Sequence, residues 1–203
     1  MSPVRLYYMP RTRSSRTLWM LEEIGAPYEL TEIAGAERRS EAHLQRHPLG
    51  RVPALELEDG TVMFESAAIC LQLADLHPDA ELSAPLGSSE RGLVYQWVLF
   101  AMTELEGPLF RWLAERRDSA AEATTSQERF TAACGALEAA LEGRQWLVDG
   151  RFTAADLMCA SLLSGADSRG LLEPWPGLRA YVQRAEARPA YARAAAIFGR
   201  PRS

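Results

Sequence analysis

The chain has 203 residues, 47% of them apolar and 24% charged, a globular balance long enough to bury one large core or two small ones. A net charge of −5 argues against general nucleic-acid binding, although all 22 basic residues are arginines, which can gather into a local anion site. No run approaches the roughly eighteen apolar residues of a membrane span. No apolar signal centre follows Arg5, and Cys70, Cys134 and Cys159 are too scattered for a disulfide framework or a zinc site, so a cytosolic protein without a metal is expected.

In chain order, Val4 to Tyr8 predicts a first strand ended by Pro10. The hydroxyls of Thr12, Ser14 and Ser15 then precede a helix marked by Leu18, Leu21 and Ile24 and stopped by Gly25. Tyr28 to Ile33 predicts a second strand. Residues 34–47 are polar, include Arg38 and Arg39, and predict a loop with an irregular helix; His43 and His47 lack partners in spacing and are read as surface or packing residues. Pro53, after Val52, opens a strand that alternates apolar and acidic residues from Ala54 to Glu58, at a place where proline admits a cis bond. Asp59-Gly60 predicts a two-residue turn and Val62 to Phe64 the returning strand. Ser66 is placed as the cap of a helix carried by Ile69, Leu73 and Leu76, and His77-Pro78 stops it.

Residues 81–89, with Pro85, Gly87 and three serines, read as a linker. Beyond it no strand pattern appears. Glu90 to Arg117 predicts a buried helix interrupted near Gly107-Pro108, and Thr125 to Glu142 an alanine-rich one. Phe152-Thr-Ala-Ala-Asp-Leu157 holds a capping box, Thr153 and Asp156, inside a hydrophobic staple. Short helices around Pro176 to Glu186 and Pro189 to Phe198 complete the pattern. The expected architecture is an α/β domain over 1–80 in the order β-α-β-α-β-β-α, the 81–89 linker, and an all-α domain over 90–203.

Val52-Pro53, the hairpin and then Glu65-Ser66 resemble the glutathione site in the thioredoxin-like domain of the cytosolic glutathione transferases, and the Thr-x-x-Asp box resembles the capping motif of that family's helical domain. Arg11 to Arg16 most resembles a bacterial and fungal branch with Pro-Arg-Ser/Thr-Arg-Ser-x-Arg. The resemblance implies that Val52 and Pro53 dock the tripeptide backbone and that Glu65 and Ser66 hold its γ-glutamyl end. It also implies that Arg38, Arg39 or Arg51 meets the glycyl carboxylate. A helix start suits the γ-glutamyl carboxylate because its unpaired N–H groups and dipole favour an anion.

The implied reaction is attack by the glutathione sulfur on a small, hydrophobic electrophile. A thiol with pKa about 8.5 is mostly protonated at neutral pH, so the protein must favour the thiolate. Thr12 matches the branch's hydroxyl position and Ser14 is the second candidate, with Tyr7 and Tyr8 as rivals. The family architecture implies an electrophile pocket walled by Tyr8, Met9, Arg11, Glu104, Pro108 and Trp112, and a homodimer. Two rivals stay open: a non-catalytic glutathione- or partner-binding protein of the same fold, and a glutathione-dependent peroxidase or thiol reductase, which the missing cysteine in the catalytic turn disfavours. Cys70 is read as a buried apolar filler.

Overall fold

The computed structural model describes residues 3–118 and 123–199. The chain divides into two compact units, Met1–Leu82 with Ala187–Ser203, and Ser83–Glu186.

In the first unit, β1 (Val4–Tyr8) leads through a short loop to α1 (Ser14–Ile24). Gly25 ends that helix in the left-handed conformation, φ 73°, and donates its N–H to the Leu21 carbonyl. β2 (Tyr28–Glu32) then lies parallel to β1, with Leu6 beside Leu30. A single 3₁₀ turn, Glu37–Arg39, and α2 (Glu41–Arg46) follow, and the antiparallel pair β3 (Ala54–Glu56) and β4 (Val62–Phe64) runs into α3 (Ser66–Leu76). The sheet order is β2-β1-β3-β4, β1 pairing antiparallel with β3. This is the thioredoxin-like arrangement that the order of elements predicts.

Strand alternation sends side chains to opposite faces of this sheet. Leu6 and Leu55 are fully buried, as are Leu18 and Leu21 of α1 and Ile69 and Leu73 of α3. Each such side chain contributes about 1.5–3 kcal/mol by leaving water. Tyr7, Met9, Ile33, Val52 and Ala54 form a separate apolar cluster. There the Tyr7 hydroxyl donates to Glu56 at 2.7 Å and the Arg46 guanidinium lies 4.2 Å from the ring centre.

The hairpin departs from its predicted two-residue turn. Leu57 donates its N–H to the Thr61 carbonyl at 2.8 Å and Gly60 to the Leu57 carbonyl at 3.0 Å. Gly60 adopts φ 84°, which makes a three-residue loop of a β-turn followed by a left-handed residue. The Asp59 side chain accepts the Thr61 N–H at 2.8 Å and stabilises this longer connection.

In the second unit, α4 (Ser89–Phe100) is capped by Ser88, whose hydroxyl accepts the Arg91 N–H at 3.2 Å. A π-helical stretch, Ala101–Glu106, joins it to α5 (Gly107–Asp118). The predicted interruption near Gly107-Pro108 takes the form of this change of winding, through which the rod continues. Proline crowds the residue four before it and has no N–H to give, and the wider winding ahead of Pro108 accommodates both. Next come α6 (Ala123–Ala140), α7 (Ala154–Asp167) and α8 (Pro176–Glu186). α7 is buried almost all round, from Ala154 to Ala160 without a break, and forms the centre of this unit.

The last helix, α9 (Pro189–Phe198), belongs to the first unit and not to the expected helical domain over 90–203. Its side chains explain the difference. Arg188 makes a two-pronged ion pair with Glu23 at 2.8 and 2.7 Å, and Arg193 reaches the Glu22 side chain and carbonyl at 2.6 and 2.7 Å. Tyr191 meets Trp19 edge to face, the ring centres 4.9 Å apart.

Candidate functional site

The start of α3 is unusual in two respects. Glu65, the residue before the helix, has φ 75° and ψ 108°, a backbone that residues other than glycine seldom adopt. Ser66 is consequently the first residue of the helix and not its cap. Its side chain makes no capping bond, and although Ser66 is only 2% exposed its hydroxyl has no hydrogen-bond partner among the described residues. Buried hydroxyls are normally paired, so this one stands ready for an acceptor brought from outside. The first intrahelical bond runs from the Ile69 N–H to the Glu65 carbonyl, which leaves the N–H groups before it in the first turn without an intrahelical partner.

The start of α1 lies against the start of α3. Arg16 and Thr17 both act on Cys70, one turn into α3, while burial pushes the Cys70 thiol up to about 12. That thiol is an inert filler. Two helix N-termini therefore meet at one side of the sheet, and both dipoles favour negative charge there.

In the loop before α1, Arg11 has φ 58° and the oxygens of Met9, Thr12 and Ser14 form a tight triangle. The Thr12 hydroxyl donates to the Met9 carbonyl at 2.7 Å, the Ser14 hydroxyl to the same carbonyl at 2.8 Å, and the two hydroxyls are 2.8 Å apart. Two protons serve three contacts. Ser14 is wholly buried and its oxygen also accepts the Met9 N–H at 3.1 Å, so it ties the loop together. Thr12 is only half-buried, and it can turn its proton outward while the Ser14 proton holds the loop. Tyr7 and Tyr8 are both buried, and the Tyr7 hydroxyl is committed to Glu56.

The segment from His47 to Pro53 is held from within. The Val52–Pro53 bond is cis. Gly50 has φ 59°, and a Cβ there would stand 2.4 Å from the Arg38 carbonyl, so only glycine fits. That approach brings Arg38 beside the segment that carries Arg51. Arg38, Arg39 and Arg51 are all exposed.

His43 and His47, one turn apart on α2 and its end, are buried and not on the surface. His43 Nε2 lies 2.9 Å from the Arg51 carbonyl. His47 Nδ1 accepts the Leu49 N–H at 3.3 Å, and its ring centre lies 4.9 Å from that of Phe64. Burial lowers the His47 pKa, against the pull of nearby Glu65, so the ring stays neutral and keeps its acceptor lone pair. The i, i+4 spacing of the two histidines was the signal that both could face one way.

The six residues expected around the electrophile divide between the units. Tyr8, Met9 and Arg11 belong to the first, where the Arg11 guanidinium donates to the Gly199 carbonyl at 3.4 Å. Glu104, Pro108 and Trp112 belong to the second. Glu104 pairs with Arg129 at 3.4 Å, and the Trp112 ring packs 5.9 Å from that of Phe130. Among the described residues no cluster of histidine, cysteine and acidic side chains is arranged to hold a metal ion, and no helix is long and apolar enough to cross a membrane.

Comparison with known proteins gives this geometry a family. Residues 12–76 match the glutathione S-transferase N-terminal domain and residues 106–184 the C-terminal domain of the same enzymes. The chain is 32% identical over 194 residues, 92% of its own length and 94% of the relative's, to the glutathione S-transferase GstA of Escherichia coli O157:H7. It is 30% identical over 166 residues to elongation factor 1-gamma of Artemia salina, covering 78% of this chain and 37% of that protein. A sphingomonad glutathione S-transferase solved in complex with glutathione superposes with a TM-score of 0.86 at 28% identity, over 97% of this chain and all of the other. Matched in both halves and along nearly its whole length, the chain belongs to the glutathione S-transferase family.

Proposed function

We propose that the chain is a glutathione transferase that holds glutathione on its first unit and activates the thiol for attack on a small, hydrophobic electrophile. The uncommitted, buried hydroxyl of Ser66 at the start of α3 is the observation that carries this reading. In it, Ser66 and the first-turn N–H groups take the γ-glutamyl carboxylate, and Glu65 answers the ammonium beside it. Val52 and Pro53 dock the peptide backbone, and Arg38, Arg39 and Arg51 draw in the glycyl carboxylate.

Thr12 then donates its hydroxyl proton to the sulfur. That donation, with the two helix N-termini, favours the thiolate over the thiol. The thiol proton leaves to solvent, the sulfur pair forms the new bond to the electrophilic carbon, and the leaving group departs with the pair it shared. Tyr8, Met9 and Arg11 from one unit and Glu104, Pro108 and Trp112 from the other are the residues assigned to the electrophile. The Arg11 to Arg16 run supports placing the chain in the bacterial and fungal branch.

A cytoplasmic homodimer is part of the same proposal. Exposed Leu49 and Phe64 in the first unit, and Leu93, Leu99 and Phe110 in the second, are the apolar surface that a second copy would cover.

The test is an ultraviolet titration of the protein with glutathione across pH, which reads both affinity and the pKa of the bound thiol. The bound thiol is expected to titrate well below about 8.5, and Thr12→Val to raise it back toward that value and lower kcat at neutral pH about tenfold. Binding without a lowered thiol pKa favours the second reading, a non-catalytic binding module, for which the likeness to elongation factor 1-gamma is the supporting observation.

A further inference from the structure

We infer that His43 is a positioning residue that fixes the plane of the Arg51–Val52 peptide and thereby aims the Val52 N–H at the ligand. This rests on the proposed glutathione site and adds to it a residue remote from the ligand.

His43 is 1% exposed, and its Nε2 lies 2.9 Å from the Arg51 carbonyl. A carbonyl oxygen only accepts, so Nε2 carries a proton and the ring donates it to this bond. The remaining nitrogen, Nδ1, is buried and has no hydrogen-bond partner among the described residues. The ring is therefore held for a single bond, the one to Arg51.

That bond has leverage because of what the peptide unit is. The carbonyl of Arg51 and the N–H of Val52 belong to one rigid plane, which is trans, and in a trans peptide the two groups point in opposite directions. Fixing the oxygen toward the buried ring turns the N–H away from it. Val52 is followed by cis Pro53, which has no N–H, so the Val52 N–H is the donor available at this point of the backbone.

The neighbouring contacts remove the other freedoms of the segment. The Leu49 N–H is taken by His47, the Gly50 N–H by the His47 carbonyl at 2.8 Å, and Gly50 is pressed against Arg38. His43 itself is placed by the cap of α2, where the Ser40 hydroxyl accepts the His43 N–H at 3.2 Å. A peptide plane preset in this way needs no reorientation on binding, which is how a buried residue raises affinity without touching the ligand.

The experiment is a glutathione titration of the ¹⁵N-labelled full chain, followed at the Val52, Glu65 and Ser66 amides, for the wild type, His43→Gln and His43→Leu. In the wild type the Val52 amide proton should move downfield as the site fills. His43→Gln, which keeps a donor, should stay within about threefold of the wild-type Kd, and His43→Leu should weaken binding about tenfold. In the leucine variant the Val52 shift should shrink while the Ser66 shift persists, a selectivity that general loosening of the fold would not produce. Wild-type affinity and a wild-type Val52 shift in His43→Leu would overturn the inference. If that variant does not fold, the wild-type His43 Nε2 proton decides: it moves together with the Val52 amide if the plane couples them, and a fixed resonance overturns the inference. No glutathione-dependent shift at any of the three amides would instead overturn the proposed function.

Discussion

Two helix starts in this chain, those of α7 and α3, are built from the same kinds of residue and left in opposite states. At α7 the box of Thr153 and Asp156 is complete. Asp156 is wholly buried and accepts from the Leu147 N–H at 2.9 Å, the Thr153 N–H at 3.0 Å, the Thr153 hydroxyl at 3.2 Å and the Tyr181 hydroxyl at 3.1 Å. At α3 the serine is buried, its hydroxyl has no hydrogen-bond partner among the described residues, and the residue before it has a positive φ. The first start is closed by the protein's own groups and serves stability. The second is left incomplete, and in the proposed function glutathione finishes it.

Substitutions at the two sites should separate these roles. The largest effect is expected for Asp156→Ala, which strands four buried donors and should lower the unfolding free energy in urea by about 4 kcal/mol, with glutathione affinity of the folded fraction unchanged. A comparable loss of affinity without loss of stability would reverse the assignment.

The next effect is a pH dependence at the same carboxyl. Burial holds Asp156 up at about 6, above its unfolded value near 3.9, so between those pH values the native state keeps a proton that the unfolded chain has lost. Stability from this group is fully present below the unfolded value and is lost as pH rises through about 6. The full difference is about 3 kcal/mol, of which about 2 kcal/mol is read as wild type minus Asp156→Asn in urea unfolding between pH 4 and pH 7. Equal pH slopes for the two proteins would remove it.

The smallest change in free energy belongs to the open start. Ser66→Ala should leave stability within about 0.5 kcal/mol, because no internal bond is lost, and should weaken glutathione about thirtyfold, the worth of one hydrogen bond to a charged group. Unchanged affinity would show that the hydroxyl is idle.

The contrast also marks what the sequence could convey. The α7 box was legible because both partners lie within four residues and the staple residues Phe152 and Leu157 flank them. The resemblance nominates Ser66 for the proposed site, but its reading as a cap fails, because the distinction turns on the φ of Glu65, which no spacing reports. The first strand, the Gly25 stop and the buried Cys70 followed from period and composition. The three-residue hairpin loop did not, because Asp59-Gly60 fits two loop lengths and the choice is made by the Leu57–Thr61 pairing. The sequence leaves His43 and His47 open as surface or packing residues, and the choice is out of local reach: the Arg51 carbonyl that engages one of them becomes a neighbour only after the chain turns at Gly50. The grouping of α9 depends on Glu22, Glu23 and Trp19, more than 160 positions away, beyond the reach of any local pattern.

That last helix has a consequence for synthesis. Its pairing of Arg188 with Glu23 and Arg193 with Glu22 means that a face of α1 goes uncovered until residue 198 has been made. On the ribosome, where chain emerges at about 5–20 residues per second, the first unit to appear is thus the last to be finished, and the second unit, continuous from Ser83 to Glu186, has all its residues earlier. That face carries the carboxylates of Glu22 and Glu23 and also Trp19, whose ring Tyr191 meets. The segment that begins the fold thus waits for the segment that ends it.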